Sequence, residues 1–131
     1  MSQENVHVVR AALEAYNAGD MDAFAMLHDP NVAWMYLEGW PEAETIVGRE
    51  ACLSQWERMR SAFDVDTVQP ITDFVAVGDR VVVRIVWHGT GEGPEMNLEL
   101  TNVFTVRKGK ILIIEPFWDH AEALEAVGLS E

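Results

Sequence analysis

Apolar residues recur at helical spacing in the first part of the chain and at alternate positions in its second half. Val6, Val9, Leu13 and Tyr16 stand three or four apart, the spacing of a helix with one buried face, and Ser2 is placed to cap it. Asn17-Ala18-Gly19-Asp20 ends that helix, with Gly19 suited to a left-handed stop and Asp20 to the next cap. A second, shorter helix is predicted through Phe24 and Leu27 to His28, closed by Pro30. Residues 32–37 read as a short strand, and Glu38 to Thr45 as a loop containing Gly39, Trp40 and Pro41. A third helix follows Gly48, with Cys52, Trp56, Met59 and Phe63 on one stripe.

From Val65 onward the period changes to two. Val65–Val77, Arg80–His88, Met96–Val106 and Lys110–Trp118 are predicted strands, separated by Gly78-Asp79, by the run Gly89 to Pro94 and by Lys108-Gly109. Short links make consecutive strands antiparallel neighbours. Asp119 with Glu122 opens a last helix, Ala121 to Val127, which Gly128 stops. The class is α+β, one domain over residues 1–131.

Strand parity carries the most information, because side chains alternate faces. Val81, Val83, Ile85 and Trp87 form an apolar row, as do Leu98, Leu100, Asn102, Phe104 and Val106, and then Leu112, Ile114, Pro116 and Trp118. The opposite rows mix apolar residues with Arg84, Glu99 and Glu115. The first face has to be covered, and the three amphipathic helices are the available cover. The second, part apolar and part charged, has the composition of a subunit interface with a few ion pairs, so a homodimer through it is expected. Asn102 is the one amide on the apolar face. It is either a core Asn bonded to backbone or trapped water, or a pocket wall offering a donor and an acceptor to a ligand.

Composition narrows the chemistry. In 131 residues, 22 Asp and Glu outweigh 9 Lys and Arg, for a formal charge of -13. That balance disfavours nucleic acid, anionic membrane surfaces and strongly acidic ligands, whose affinity comes from Lys and Arg. The lone Cys52 allows no internal disulfide, the N-terminus lacks the look of a signal peptide, and no apolar run is long enough for a membrane helix, so a reducing cytoplasm is expected. His7, His88 and His120 are too dispersed to hold a metal, and no cofactor is implied. Gly89-Thr90-Gly91-Glu92-Gly93 precedes a strand and carries an acid, so it is a hairpin loop and not a phosphate cradle.

Several stretches resemble the SnoaL-like and ketosteroid-isomerase-like branch of the nuclear transport factor two-like superfamily. They are Tyr16-Asn17-Ala18-Gly19-Asp20, Val47-Gly48-Arg49-Glu50, Gly78-Asp79-Arg80-Val81-Val82-Val83, Gly109-Lys110-Ile111 and Asp119 through Ala126. The resemblance implies a curved antiparallel sheet wrapped by helices into a cone, usually dimeric, with a pocket at the open end. Steroid isomerases of this family pair an aspartate base with an oxyanion hole of one tyrosine and one protonated aspartate. On that pattern Tyr36 stands where the base belongs, Ala12 near the tyrosine and Asn102 at the protonated aspartate. A phenol with an ordinary pKa of about 10 is a poor base near neutrality, which argues against that mechanism. The epoxide-hydrolase branch needs charges inside the cone, and the inward row of the last strand has none.

The resemblance implies a pocket lined by Trp56, Val83, Ile85, Leu98, Leu100, Ile114, Pro116 and Trp118, with His28 facing it and Glu38 and Trp40 on its rim. Two functions are expected. One is a cofactor-free isomerase, cyclase or hydratase acting on a small apolar molecule, with His28 exchanging a proton while Asn102 and Tyr36 hold an oxygen. The other is a non-catalytic ligand-binding or dimerisation module of the same fold.

Overall fold

The computed structural model describes residues 2–39 and 44–129. Trp40, Pro41 and Glu131 lie outside the described residues, and the cap expected of Ser2 lies outside the described side chains. Helices α1 (Ser2–Ala18), α2 (Met21–Met26) and α3 (Arg49–Ser61) precede most of the strands, and α4 (His120–Ala126) follows them. The strands are β1 (His28–Trp34), β2 (Ile46–Val47), β3 (Val65–Pro70), β4 (Val75–Val77), β5 (Arg80–Thr90), β6 (Met96–Arg107) and β7 (Lys110–Phe117). They form one mixed, curved and unclosed sheet in the order β2-β1-β7-β6-β5-β3, with β4 also on β5.

Local chemistry explains most boundaries. Gly19 adopts φ +76 after α1, and Asp20 caps α2 by accepting from the Ala23 N–H at 3.1 Å. Asp119 caps α4 in the same way, accepting from Ala121 at 2.9 Å. The β6–β7 hairpin turns on Lys108 and Gly109, both with positive φ, the backbone twist that a two-residue hairpin favours.

Several boundaries differ from the sequence expectation, among them the strand expected over 32–37, which runs from His28 to Trp34. His28 and Pro30 do not end a helix; they open β1, because α2 stops at Met26. The strand expected over 65–77 is two, since the chain leaves β5 after Pro70, and there Thr72 Oγ1 accepts from the Arg84 N–H at 3.0 Å. Phe63 lies beyond the end of α3. Ile46–Val47, to which the sequence pattern assigned no element, is a two-residue edge strand on β1. One pairing also departs from the antiparallel expectation: β1 runs parallel to β7, which residues so distant in sequence can do because no hairpin links them.

The sheet has two unlike faces. Val81, Val83, Ile85, Leu100, Phe104 and Val106 pack into a core with Val9, Ala12 and Tyr16 of α1, Phe24 of α2 and Cys52 and Trp56 of α3. On the last strand parity breaks at a bulge. Thr105 pairs with Ile113 but Val106 pairs with Ile111, so Leu112 is an extra residue, and Ile111 takes the inward place expected of it. The outer face, expected as a whole to meet a second subunit, is covered in part by the chain itself: α4 packs Ala123 and Val127 on Val82 and Val103. Arg84 there bonds to Glu99 at 3.3 Å, to Thr101 Oγ1 at 3.1 Å and to the Trp118 carbonyl at 3.0 Å.

Candidate functional site

Between the inner face and helices α1 to α3 lies a cavity of about 700 Å³. The strand register sets its depth. His28 pairs with Ile111 and Ile111 with Val106, and all three are buried, so this level closes the cavity. Asn102 pairs with Pro116 four residues nearer the mouth, about 13 Å away along β6. Tyr36, 53% exposed, stands just past the end of β1 at that upper level.

Of the residues expected at the site, the cavity wall holds His28, Tyr36, Asn102, Trp56, Ile85, Leu98, Leu100, Ile114 and Pro116. Two others are placed elsewhere. Val83 is fully buried in the core and does not reach the wall. Trp118 is 42% exposed outside the cavity, its indole N–H donating to the Glu38 carbonyl at 2.6 Å. It follows the last residue of β7, so the inward parity no longer governs it. Glu38 is exposed and off the wall, and Trp40 falls outside the described residues.

Aromatic rings dominate one wall. The Trp56 ring stacks on Trp34 at 4.8 Å and 22°, meets Phe24 edge-on at 4.8 Å and covers His28 at 4.9 Å. These apolar surfaces suit an apolar guest. The charged residues on the wall, Glu44 and Arg58, are both exposed.

Two of the polar residues expected at the site keep hydrogen-bonding capacity free toward the cavity, as does Gln55 of α3 on its wall. The Asn102 amide makes no side-chain hydrogen bond among the described residues, yet no buried polar side-chain atom there lacks a partner, so it is open to the cavity. His28 lies 1% exposed, with Nδ1 2.7 Å from the Phe24 carbonyl. A carbonyl only accepts, so Nδ1 carries the proton and Nε2 a lone pair. Burial, with the charges of Arg49 and Lys110 adding to it, lowers the ring's pKa to about 4 even against the Phe24 bond. His28 is therefore a neutral acceptor, and a weak base.

The sequence reading missed a polar cluster beside the cavity. Asp66, on β3, has a side chain only 3% exposed; it accepts from Tyr16 Oη at 2.6 Å and from Trp87 Nε1 at 2.9 Å and lies 3.8 Å from Arg60. Arg60 also donates to the Tyr16 carbonyl at 2.6 Å and stacks on its ring at 4.4 Å. Burial first, then the bond to Asp66 and its charge, pushes the Tyr16 phenol above its ordinary range, so it stays protonated. The available signal was an acid on the same strand parity as Val68. Cys52, its thiol raised by burial to about 11, has no nucleophilic character. No group of three His, Cys, Asp or Glu is arranged for a metal among the described residues. No described helix is long and apolar enough to cross a membrane.

Residues 9–114 match the model of the SnoaL-like domain family. No curated protein matches the sequence. Among solved structures the chain is similar to Bal32a, from a soil-derived mobile gene cassette, at 22% identity over 88% of each chain with a TM-score of 0.79. It is similar to TerC co-crystallized with polyporic acid at 22% identity, over 95% of this chain and 98% of that one, with a TM-score of 0.75. A polyketide cyclase candidate from Xanthomonas campestris pv. campestris is 27% identical over 97% of this chain and 98% of that one, with a TM-score of 0.70.

Proposed function

The chain belongs to the SnoaL-like domain family, and from that premise we propose that it binds a small, largely apolar molecule of cyclic or polyketide-like kind in the cavity under α1 to α3. One observation carries the reading: a cavity of about 700 Å³ with aromatic and aliphatic walls, into which an unspent amide, Asn102, projects. Open to the cavity and half-buried, this amide offers a ligand oxygen or hydroxyl one neutral hydrogen bond, worth about 0.5–1.5 kcal/mol. Polyporic acid in the TerC crystal supports a ring-containing guest for this fold. The test is a titration of the protein with bicyclohexyl, followed by intrinsic fluorescence, since Trp34, Trp56 and Trp87 are on the wall. Saturable binding at one site, weakened when Leu100→Trp fills the cavity, is expected. Binding that is absent, or indifferent to that substitution, removes the reading.

A catalytic reading, as a cofactor-free isomerase, cyclase or hydratase, is favoured by the likeness to the cyclase candidate and by Tyr36 and Asn102 at one level near the mouth. There they would hold a ligand oxygen. His28 stands about 13 Å deeper, so proton exchange at its ring would concern the other end of the ligand. Its low proton affinity favours accepting a hydrogen bond over removing a proton from carbon. Binding therefore ranks first.

Two copies are proposed to pair through the part of the outer face carrying Arg84, Glu99 and Glu115, where Val86 is half-buried. The reducing cytoplasm is the proposed compartment, which the lone, buried Cys52 suits.

A further inference from the structure

The closed end of the cavity holds a single kind of polar offer. His28 reaches it with Nε2, whose lone pair has no partner among the described residues, while Nδ1 is held at 2.7 Å by the Phe24 carbonyl. Around it stand Phe24, Trp56 and Ile111, which give nothing in exchange. A ligand carbonyl or ether oxygen pressed against Nε2 would set two acceptors face to face, both stripped of water. A hydroxyl would donate and satisfy both. An ammonium would also donate, but Arg49 and Lys110 are close enough for their positive charges to act on the ring.

Resting on the binding function above, we propose that this closed end is a hydroxyl subsite, so that the ligand is a neutral ring compound entering with a hydroxyl foremost and donating it to His28 Nε2. The two levels lie about 13 Å apart along β6, which gives the full ligand a length of about two linked or fused rings, with an oxygen at the far end for the Asn102 amide.

The experiment compares 4-cyclohexylcyclohexanol with 4-cyclohexylcyclohexanone and the alcohol's methyl ether, probes transparent where tryptophan absorbs. With the wild-type protein the alcohol is expected to bind about fivefold to tenfold more tightly than either, the worth of one neutral hydrogen bond. In His28→Phe that preference should vanish while bicyclohexyl still binds. As a readout independent of any variant, the ¹⁵N resonance of His28 Nε2 should move on adding the alcohol and stay in place with the ketone. Equal affinities, a preference for the ketone, a preference that survives His28→Phe, or an Nε2 resonance unmoved by the alcohol overturns the subsite while leaving the binding function standing. If neither bicyclohexyl nor any derivative binds, the binding function falls and the subsite with it.

Discussion

Tyr16 Oη lies 2.6 Å from Asp66 Oδ2, joining α1 to β3 through the one carboxylate buried among the described residues. Trp87 Nε1 donates to the same oxygen and Arg60 approaches the other, so four elements meet on a single acid. Removing the acceptor leaves two buried donors without partners. Asp66→Ala is expected to lower stability by about 3–5 kcal/mol and Tyr16→Phe by about 1–2 kcal/mol, read from urea midpoints at constant slope. A cost below about 1 kcal/mol for Asp66→Ala would show that the cluster does not hold these elements together.

His28 ties stability to pH with a definite sign. An unfolded imidazole titrates near 6.5 and the folded one near 4. Between those values the unfolded chain takes up a proton that the folded chain refuses, so stability falls as pH drops through this window. Above pH 6.5 the group contributes nothing. The full loss is about 3 kcal/mol, at about 1.4 kcal/mol per pH unit in mid-window. In His28→Gln the urea midpoint should depend less on pH between 6 and 4.5; an unchanged slope would place the ring's titration elsewhere.

Gly89 is a packing position. A Cβ there would come 2.7 Å from the Phe63 ring, which rests edge-on against Trp87 at 5.7 Å. Gly89→Ala should cost about 1–3 kcal/mol by overpacking. Adding Phe63→Leu should recover part of that loss, a non-additivity measurable in a double-mutant cycle. Additive losses would mean that the two residues do not compete for space.

The proposed pairing of two copies makes its own prediction. Arg84→Glu sets two acids side by side on the outer face, where Arg84 now bonds Glu99. If that face joins subunits, sedimentation velocity should show a dimer in the wild type and a shift toward monomer in the variant. An unshifted coefficient would release this face from the interface.

The alternation along β5 and β6 was legible because one face of each strand is buried and side chains must obey a period of two. That alone put Ile85, Leu98, Leu100 and Asn102 on a common wall. Parity could not foresee the bulge at Leu112, which lets Ile111 point inward without any break in the apolar run. It also carried Trp118 inward past the end of β7, where alternation no longer binds the chain. His28 was placed on the right cavity for the wrong reason: it opens a strand and does not end a helix. Asp66 stayed hidden because its partners Tyr16, Arg60 and Trp87 come from α1, α3 and β5, and no local pattern announces such a meeting.

The most direct measurement of the central claim is a crystal structure of the protein soaked with 4-cyclohexylcyclohexanol. Ring density is expected between the Trp56 wall and Leu100, with the hydroxyl oxygen within hydrogen-bond reach of His28 Nε2. An empty cavity at saturating probe, or a molecule bound only on the outer face, would contradict it.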